Sequence, residues 1–184
     1  MQISRNTKEK KFPLRLQRGS IDCGPACLRM IAEFYGKKFS HNDLCSLFNI
    51  SEAGVNLQNI IDVAEAIGLQ TISVRTSFEK LKKHAQLPCM ALVGNNHSVV
   101  VYKIENEKSS SEETLFVYVA DPINGFIKYS EKEFKNTWIS ETKEGFEKGI
   151  AVLSLPTPVF YKKNQSFFHS PPKMDSNTVS LQQI

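Results

Sequence analysis

Residues 17–36 read QRGSIDCGPACLRMIAEFYG, and their centre, Asp22-Cys23-Gly24-Pro25-Ala26-Cys27, sets a thiol where a helix should begin. Pro25 suits a first helical turn, where the donor it lacks would have no partner in any case. Behind it Cys27, Met30, Ile31 and Phe34 recur at spacings of three and four, and Gly36 closes the run. That is an amphipathic helix with a start signal and a stop signal. Cys23 then stands at or just before the helix N-terminus, where unpaired amides and the helix dipole favour a negative charge. A free thiol titrates near ~8.5, and such a position can lower it to roughly 3.5–7.5, which makes a thiolate available. Cys23 is thus a candidate nucleophile. The competing reading is a buried cysteine acting as a small hydrophobe. Gly24 and Pro25 hold the thiol at a bend rather than on a helix face, which favours the nucleophile. Cys27, in phase with Met30 and Ile31, reads as core.

The 184 residues suit one domain with a sizeable core plus a tail. Hydrophobic content of 41% and charged content of 23% describe an ordinary globular chain. The 23 basic and 19 acidic residues are spread along the sequence, and their net +4 does not point to nucleic acid as a partner. The opening MQISRNTKEKKF is basic but lacks the apolar region of a secretory signal. No run approaches the ~18 apolar residues needed to span a bilayer. A soluble, cytosolic chain is expected. Cys23, Cys27, Cys45 and Cys89 form no CxxC pair, and His41, His84, His97 and His169 form no HExxH. Reduced thiols are expected, with no cofactor and no metal. A metal centre would have to be assembled from distant cysteines and histidines.

Residues 1–12 read as a flexible polar lead-in, 13–155 as a folded domain and 156–184 as a linker or tail, where four of the eight prolines fall. Ser40 to Asp43 resembles a capping box opening a short helix through Leu44, Leu47 and Phe48. Gly54 and Asn56 precede a third helix carrying Leu57, Ile60, Ile61, Ala64 and Ile67 and stopped by Gly68. The period then changes: Thr71 to Arg75 alternates as a half-buried strand, and Ser77 caps a brief helix with Phe78 and Leu81. Apolar runs typical of buried strands follow, Cys89 to Val93 and Ser98 to Ile104. The polar segment Glu105 to Glu113 reads as the loop of a hairpin whose second strand is Leu115 to Ala120. Phe126 to Tyr129 and Ile150 to Leu155 are further strands, and between them Ser130 to Glu133 is a second capping box before Phe134 and Trp138. Helices first and mostly antiparallel strands afterwards predict an α+β fold with its helices on one side of the sheet.

A cysteine nucleophile needs a base, and the base needs an orienting partner. His97 is the candidate base because it stands at a loop-to-strand junction after Gly94-Asn95-Asn96. A capping or surface histidine is the plainer reading. His41, in a helix cap, and His84, on a lysine-rich face, read as surface residues. Asp121 ends the strand that a hairpin would lay beside His97, where a carboxylate could accept the second ring N–H and fix the tautomer. The Asp121-Pro122 pair also fits a strand-ending turn, and one residue can fill both roles. The backbone N–H of Cys23 is a natural donor to a developing oxyanion, and the side-chain amide of Gln17 could be the second.

Gln17 with Asp22 to Cys27, then Gly94-Asn95-Asn96-His97-Ser98-Val99-Val100, then Ala120-Asp121-Pro122 with Gly125, resemble peptidase family C39. These are the papain-like N-terminal peptidase domains of bacteriocin-processing ABC transporters. The likeness runs through Gly36, Gly54 with Leu57, Gly68-Leu69, Leu87-Pro88 and Phe134 with Trp138, over roughly residues 13–155. The resemblance implies a papain-like α+β peptidase with a helical N-terminal half packed on a mostly antiparallel sheet. It implies Cys23 as nucleophile, His97 as general base and acid, Asp121 as orienter and Gln17 as oxyanion-hole donor. It implies cleavage of a leader peptide after Gly-Gly or Gly-Ala at the cytoplasmic side of a bacterial inner membrane, coupled to export by the transmembrane and ATP-binding parts of an ABC transporter. The inactive relatives of this family lack the cysteine, which is present here. Ser98 departs from the pattern, since an aromatic commonly follows the histidine. The sequence holds no transmembrane helix and no GxxxxGK[ST] loop, and its proline-containing tail is expected to lead toward a membrane part. Two other functions compete: a non-catalytic module that binds leader peptides for a transporter, and a different Cys-His acyl-transfer enzyme.

Overall fold

The computed structural model describes residues 11–19, 21–48, 56–94, 97–109, 112–143 and 145–162. Residues 1–10 of the 1–12 lead-in, Gly54, the Asn95-Asn96 pair and the tail from residue 163 onward lie outside the described residues.

The helical first half forms as the periodicity predicts: α1 (Cys23–Phe34), α2 (His41–Leu47) and α3 (Leu57–Ala66). Ser40 accepts a hydrogen bond from Asp43 N–H, and Asn56 from Asn59 N–H, so both caps satisfy an amide that the helix leaves open. The remainder alternates strands and helices: β1 (Leu69–Thr76), α4 (Phe78–His84), β2 (Cys89–Val93), β3 (His97–Ser109), β4 (Glu112–Asp121), β5 (Gly125–Ser130), α5 (Glu131–Trp138), β6 (Ile139–Lys143) and β7 (Phe146–Pro156). The strands make one antiparallel sheet in the order β1-β7-β2-β3-β4-β5, with β6 also paired to β7. This is the expected α+β architecture.

The placement of the helices differs from the expectation of a single covered face. Helices α1, α2 and α3 pack with Leu69, Met90, Val100, Ala120 and Val152 on one side of the sheet. Helices α4 and α5 pack Phe78, Leu81, Phe134 and Trp138 with Cys89, Ala91, Val99, Val101, Val119 and Ala151 on the other. Successive strand residues point to opposite faces, and in β2 Cys89, Met90 and Ala91 are all buried, so both faces need a cover. Trp138 donates from Nε1 to Ile150 O at 2.8 Å, and its ring lies so close over β7 that a Cβ at Gly149 would sit 2.3 Å from it.

Two further differences concern length. The segment Glu105 to Glu113 is for the most part not a loop: β3 and β4 stay paired as far as Ser109 opposite Glu112. This outer ribbon is polar, so no apolar alternation marks it. Strand β6 carries the polar run ISETK, and β7 begins at the exposed Phe146 rather than at Ile150, for the same reason. Two core residues flank the span 13–155 read from the sequence. Phe12 stacks on Tyr102 at 4.7 Å between ring centroids, and Phe160 is fully buried beside α3 and the Gly68 turn.

Candidate active site

Cys23 is the first residue of α1 and is half-buried. The turn before it is fixed by Asp22, whose carboxylate accepts Arg18 N–H at 3.0 Å and Gly19 N–H at 2.9 Å. One residue further back, Gln17 N–H donates to Pro122 O at 2.9 Å. That bond ties the segment leading to the thiol onto the turn between β4 and β5. On the other side Cys27, one helical turn beyond Cys23, donates its thiol hydrogen to Ser98 O at 3.2 Å. The start of α1 is therefore held to both strands that carry the other candidate residues.

His97 opens β3 and Asp121 closes β4, and antiparallel pairing of Val100 with Ala120 brings the two ends together. His97 Nε2 lies 3.0 Å from Asp121 Oδ1. The carboxylate is itself held by Ile123 N–H at 2.7 Å, Asn124 N–H at 3.3 Å and Asn124 Nδ2 at 3.0 Å. With Nε2 on the carboxylate, Nδ1 is the ring nitrogen left for the thiol. A hydrogen bond to Cys23 is the largest influence on the imidazole and raises its pKa; burial opposes it and Asp121 adds to it. At Cys23 burial pushes the thiol pKa up, and this is outweighed by hydrogen bonds from His97 and from Ser98 and Gly24 N–H, leaving it below the ordinary thiol value. Asp121 stays below the ordinary carboxylate value for a parallel reason: its burial is outweighed by Asn124, Ile123 and His97. One group is pushed toward the thiolate and the next toward the imidazolium, with a fixed anion behind it. Such a row can form a carbon–sulfur bond and hand a proton to a leaving group. Burial acts on Cys27 and Cys89 in the opposite direction, joined at Cys27 by the charges of Cys23 and Asp121, and both thiols are held well up.

Gln17 is placed less simply. Its Nε2 donates to Gly19 O at 2.7 Å, while Oε1 is buried without a partner. One Nε2 hydrogen remains uncommitted. His84 is exposed as expected, whereas His41 is not a surface residue: its side chain is 12% exposed, against Asp22 and Cys45. An aromatic groove, which the sequence reading left without residues, is lined by Phe12, Phe34, Tyr102, Tyr118 and Phe126. Phe34 and Phe126 keep 40% and 39% of their surface exposed. Its residues come from five separate segments, so no local pattern announces it.

Comparison with known proteins adds three findings. The sequence model of the Peptidase C39 family matches residues 11–142. Among curated proteins, the chain is 29% identical over 68% of its length to the colicin V secretion/processing ATP-binding protein CvaB of Escherichia coli. It is 26% identical over 82% of its length to the lactococcin-G-processing and transport ATP-binding protein LagD of Lactococcus lactis. The chain spans only 16% and 22% of those two proteins. Among solved structures, a double glycine motif protease from an AMS/PCAT transporter, in complex with its leader peptide, superposes with a TM-score of 0.64 at 28% identity. That match covers 79% of this chain and 91% of the other. The peptidase domain of Streptococcus ComA shares the fold with the same TM-score at 22% identity, over 79% of this chain and 99% of that one.

Proposed function

The chain belongs to the Peptidase C39 family of cysteine peptidases, and we propose that it removes leader peptides from exported precursors by cutting after a double-glycine pair. The observation that carries this reading is the row of Cys23, His97 and Asp121. In this reading the Cys23 thiolate attacks the scissile carbonyl carbon, and the carbonyl π pair moves onto oxygen. The Cys23 N–H and the uncommitted Gln17 Nε2 hydrogen receive that oxyanion. Losing one such donor would lower turnover by about 10²–10³. The oxyanion then collapses, the imidazolium of His97 protonates the departing amine, and a thioester remains on Cys23. His97, now neutral, takes a proton from water as the water attacks the thioester, and Cys23 then leaves as the thiolate, which restores the thiolate–imidazolium pair and releases the carboxylic acid. Asp121 holds the ring orientation throughout and stays ionised.

Glycine selectivity follows from sterics: a slot that leaves no room for a Cβ rejects every other residue at the two positions before the cut. Glycine supplies almost no contact area, so affinity has to come from the leader. The groove of Phe12, Phe34, Tyr102, Tyr118 and Phe126 suits the apolar face of a leader helix. The transmembrane and ATP-binding parts of an ABC transporter would then take the product, which puts the domain at the cytoplasmic face of the membrane. No helix among the described residues is long and apolar enough to cross a bilayer.

Incubating the chain with a leader peptide ending in Gly-Gly followed by cargo residues, with mass spectrometry of the products, tests the proposal. A single cut after the second glycine by the native chain, and none by Cys23→Ala, is expected. No cut by the native chain, or equal cutting by Cys23→Ala, would overturn it. Within the same assay Phe126→Ala should raise KM about tenfold with little change in kcat, since it removes binding shared by the ground and transition states.

A further inference from the structure

A carboxylate that aims an imidazole has to be aimed itself. Its two oxygens are chemically equal and its terminal torsion is soft, so something must fix which oxygen faces the ring. The partners of the two Asp121 oxygens are unequal. Oδ1 lies 3.0 Å from His97 Nε2 and accepts Ile123 N–H at 2.7 Å and Asn124 N–H at 3.3 Å. The one donor to Oδ2 among the described residues is Asn124 Nδ2, at 3.0 Å. From this geometry we infer that Asn124 is a positioning residue: its side-chain amide pins Oδ2 and so holds Oδ1 toward the His97 ring. The inference rests on the row of Cys23, His97 and Asp121 proposed above.

Two observations separate this role from that of a plain turn residue. The N–H bonds to Oδ1 are backbone bonds of the turn between β4 and β5, and any residue but proline at position 124 supplies its one. The bond to Oδ2 exists only because residue 124 ends in an amide. Asn124 is also exposed, whereas Asp121 is buried. The amide therefore fills no part of the core, and what it does for the molecule is done at the carboxylate. Charge agrees with geometry. Burial works against the ionised Asp121, and Asn124 is the foremost of the groups that outweigh it, ahead of Ile123 N–H and of His97 itself. Without the amide, Oδ2 is a buried anionic oxygen with no donor, and the carboxylate gains by turning toward water or toward the donors on Oδ1. Either turn lengthens the bond to Nε2. The imidazolium then loses part of its partner, and the Cys23 thiolate loses part of the imidazolium.

The test reads the thiol and needs no leader peptide, so its outcome is independent of whether the chain cuts one. Cys23 is alkylated with iodoacetamide as a function of pH, with the modified residue identified by mass spectrometry. The full chain is compared as native, Asn124→Ala, Asp121→Asn and the double variant. Asn124→Ala should slow alkylation at about pH 6 by about three- to tenfold and move the thiol titration toward its ordinary value, with the melting temperature near native. Asn124→Ser favours the same turn but carries no amide, so it should match Asn124→Ala and carries the test should the alanine variant fold poorly. In the Asp121→Asn background Asn124→Ala should add nothing, because the carboxylate it acts through is gone. An alkylation profile of Asn124→Ala that matches the native one, or a loss of equal size in the Asp121→Asn background, would overturn the inference. A native Cys23 that titrates as an ordinary thiol would overturn the row and the inference with it.

Discussion

At the scale of the residue, the behaviour of Cys23 depends on three donors rather than on the cysteine itself. Burial works against the thiolate, and His97 with two backbone N–H groups works for it. Asp121 reaches the thiol only through the ring, by helping to hold the His97 pKa up. In the proposed reaction cleavage requires the thiolate and the imidazolium together, which fixes the sign of the pH dependence. Activity rises as pH climbs through the lowered titration of the thiol and falls as it passes the raised titration of the imidazole, the two limbs belonging to the coupled pair. Asp121→Asn removes the charged partner, so the alkaline limb should move to lower pH. One lost charge-assisted hydrogen bond of about 1.5–3 kcal/mol corresponds to a fall of about 10–100-fold in kcat. A pH profile of kcat for both chains reads the shift and the loss in one experiment; an unmoved alkaline limb would contradict the role of Asp121. At this scale the sequence was partly legible. Proline and glycine around Cys23 announced a helix start, and Asp121-Pro122 announced a strand end. The contribution of Ser98 N–H was not, because a backbone donor is identified by where the chain passes and not by its side chain.

At the scale of the element, capping and close approach set the stability of the second layer of helices. The Ser130–Glu133 capping box seats α5, and Ser130→Ala should lower stability by about 1 kcal/mol, measured by chemical denaturation. Gly149 lies directly beneath the Trp138 ring, so Gly149→Ala forces the indole or the strand to move. That overpacking should cost about 1–3 kcal/mol while leaving the kcat of folded molecules intact. A loss of activity without loss of stability would contradict this separation of framework from site. The helices and the central strands were readable from apolar spacing. The two-sided cover was readable in part, since the continuous apolar runs of β2 and β3 allow no polar face. The outer hairpin and β6 were not, because strands with both faces in water carry no hydrophobic period.

At the scale of the whole molecule, folding gathers Gln17, Cys23, His97 and Asp121 from three distant segments onto one corner of the sheet, and the same closure needs both ends of the described chain. Phe160 is fully buried although it follows the last strand, and Phe160→Ala should destabilise the fold by about 3–5 kcal/mol, read as a lower melting temperature. An unchanged melting temperature would show that the domain closes without the segment after β7. The order of Gln17, Cys23, His97 and Asp121 along the sequence makes the candidate row visible as a set, because each residue brings a local signal of its own. Asn124 brings none, since asparagine is common in strand-ending turns and only the bond from its amide to Asp121 sets it apart. The most direct test of the central claim, that this fold converts Cys23 into a thiolate through His97, is the rate of Cys23 alkylation as a function of pH, with the modified residue identified by mass spectrometry. The native chain should keep a fast rate as pH falls from about 8 to 6, below the ordinary thiol range, and His97→Ala should lose it. A native rate that drops with pH as a free thiol does, or one that His97→Ala leaves unchanged, would contradict the account.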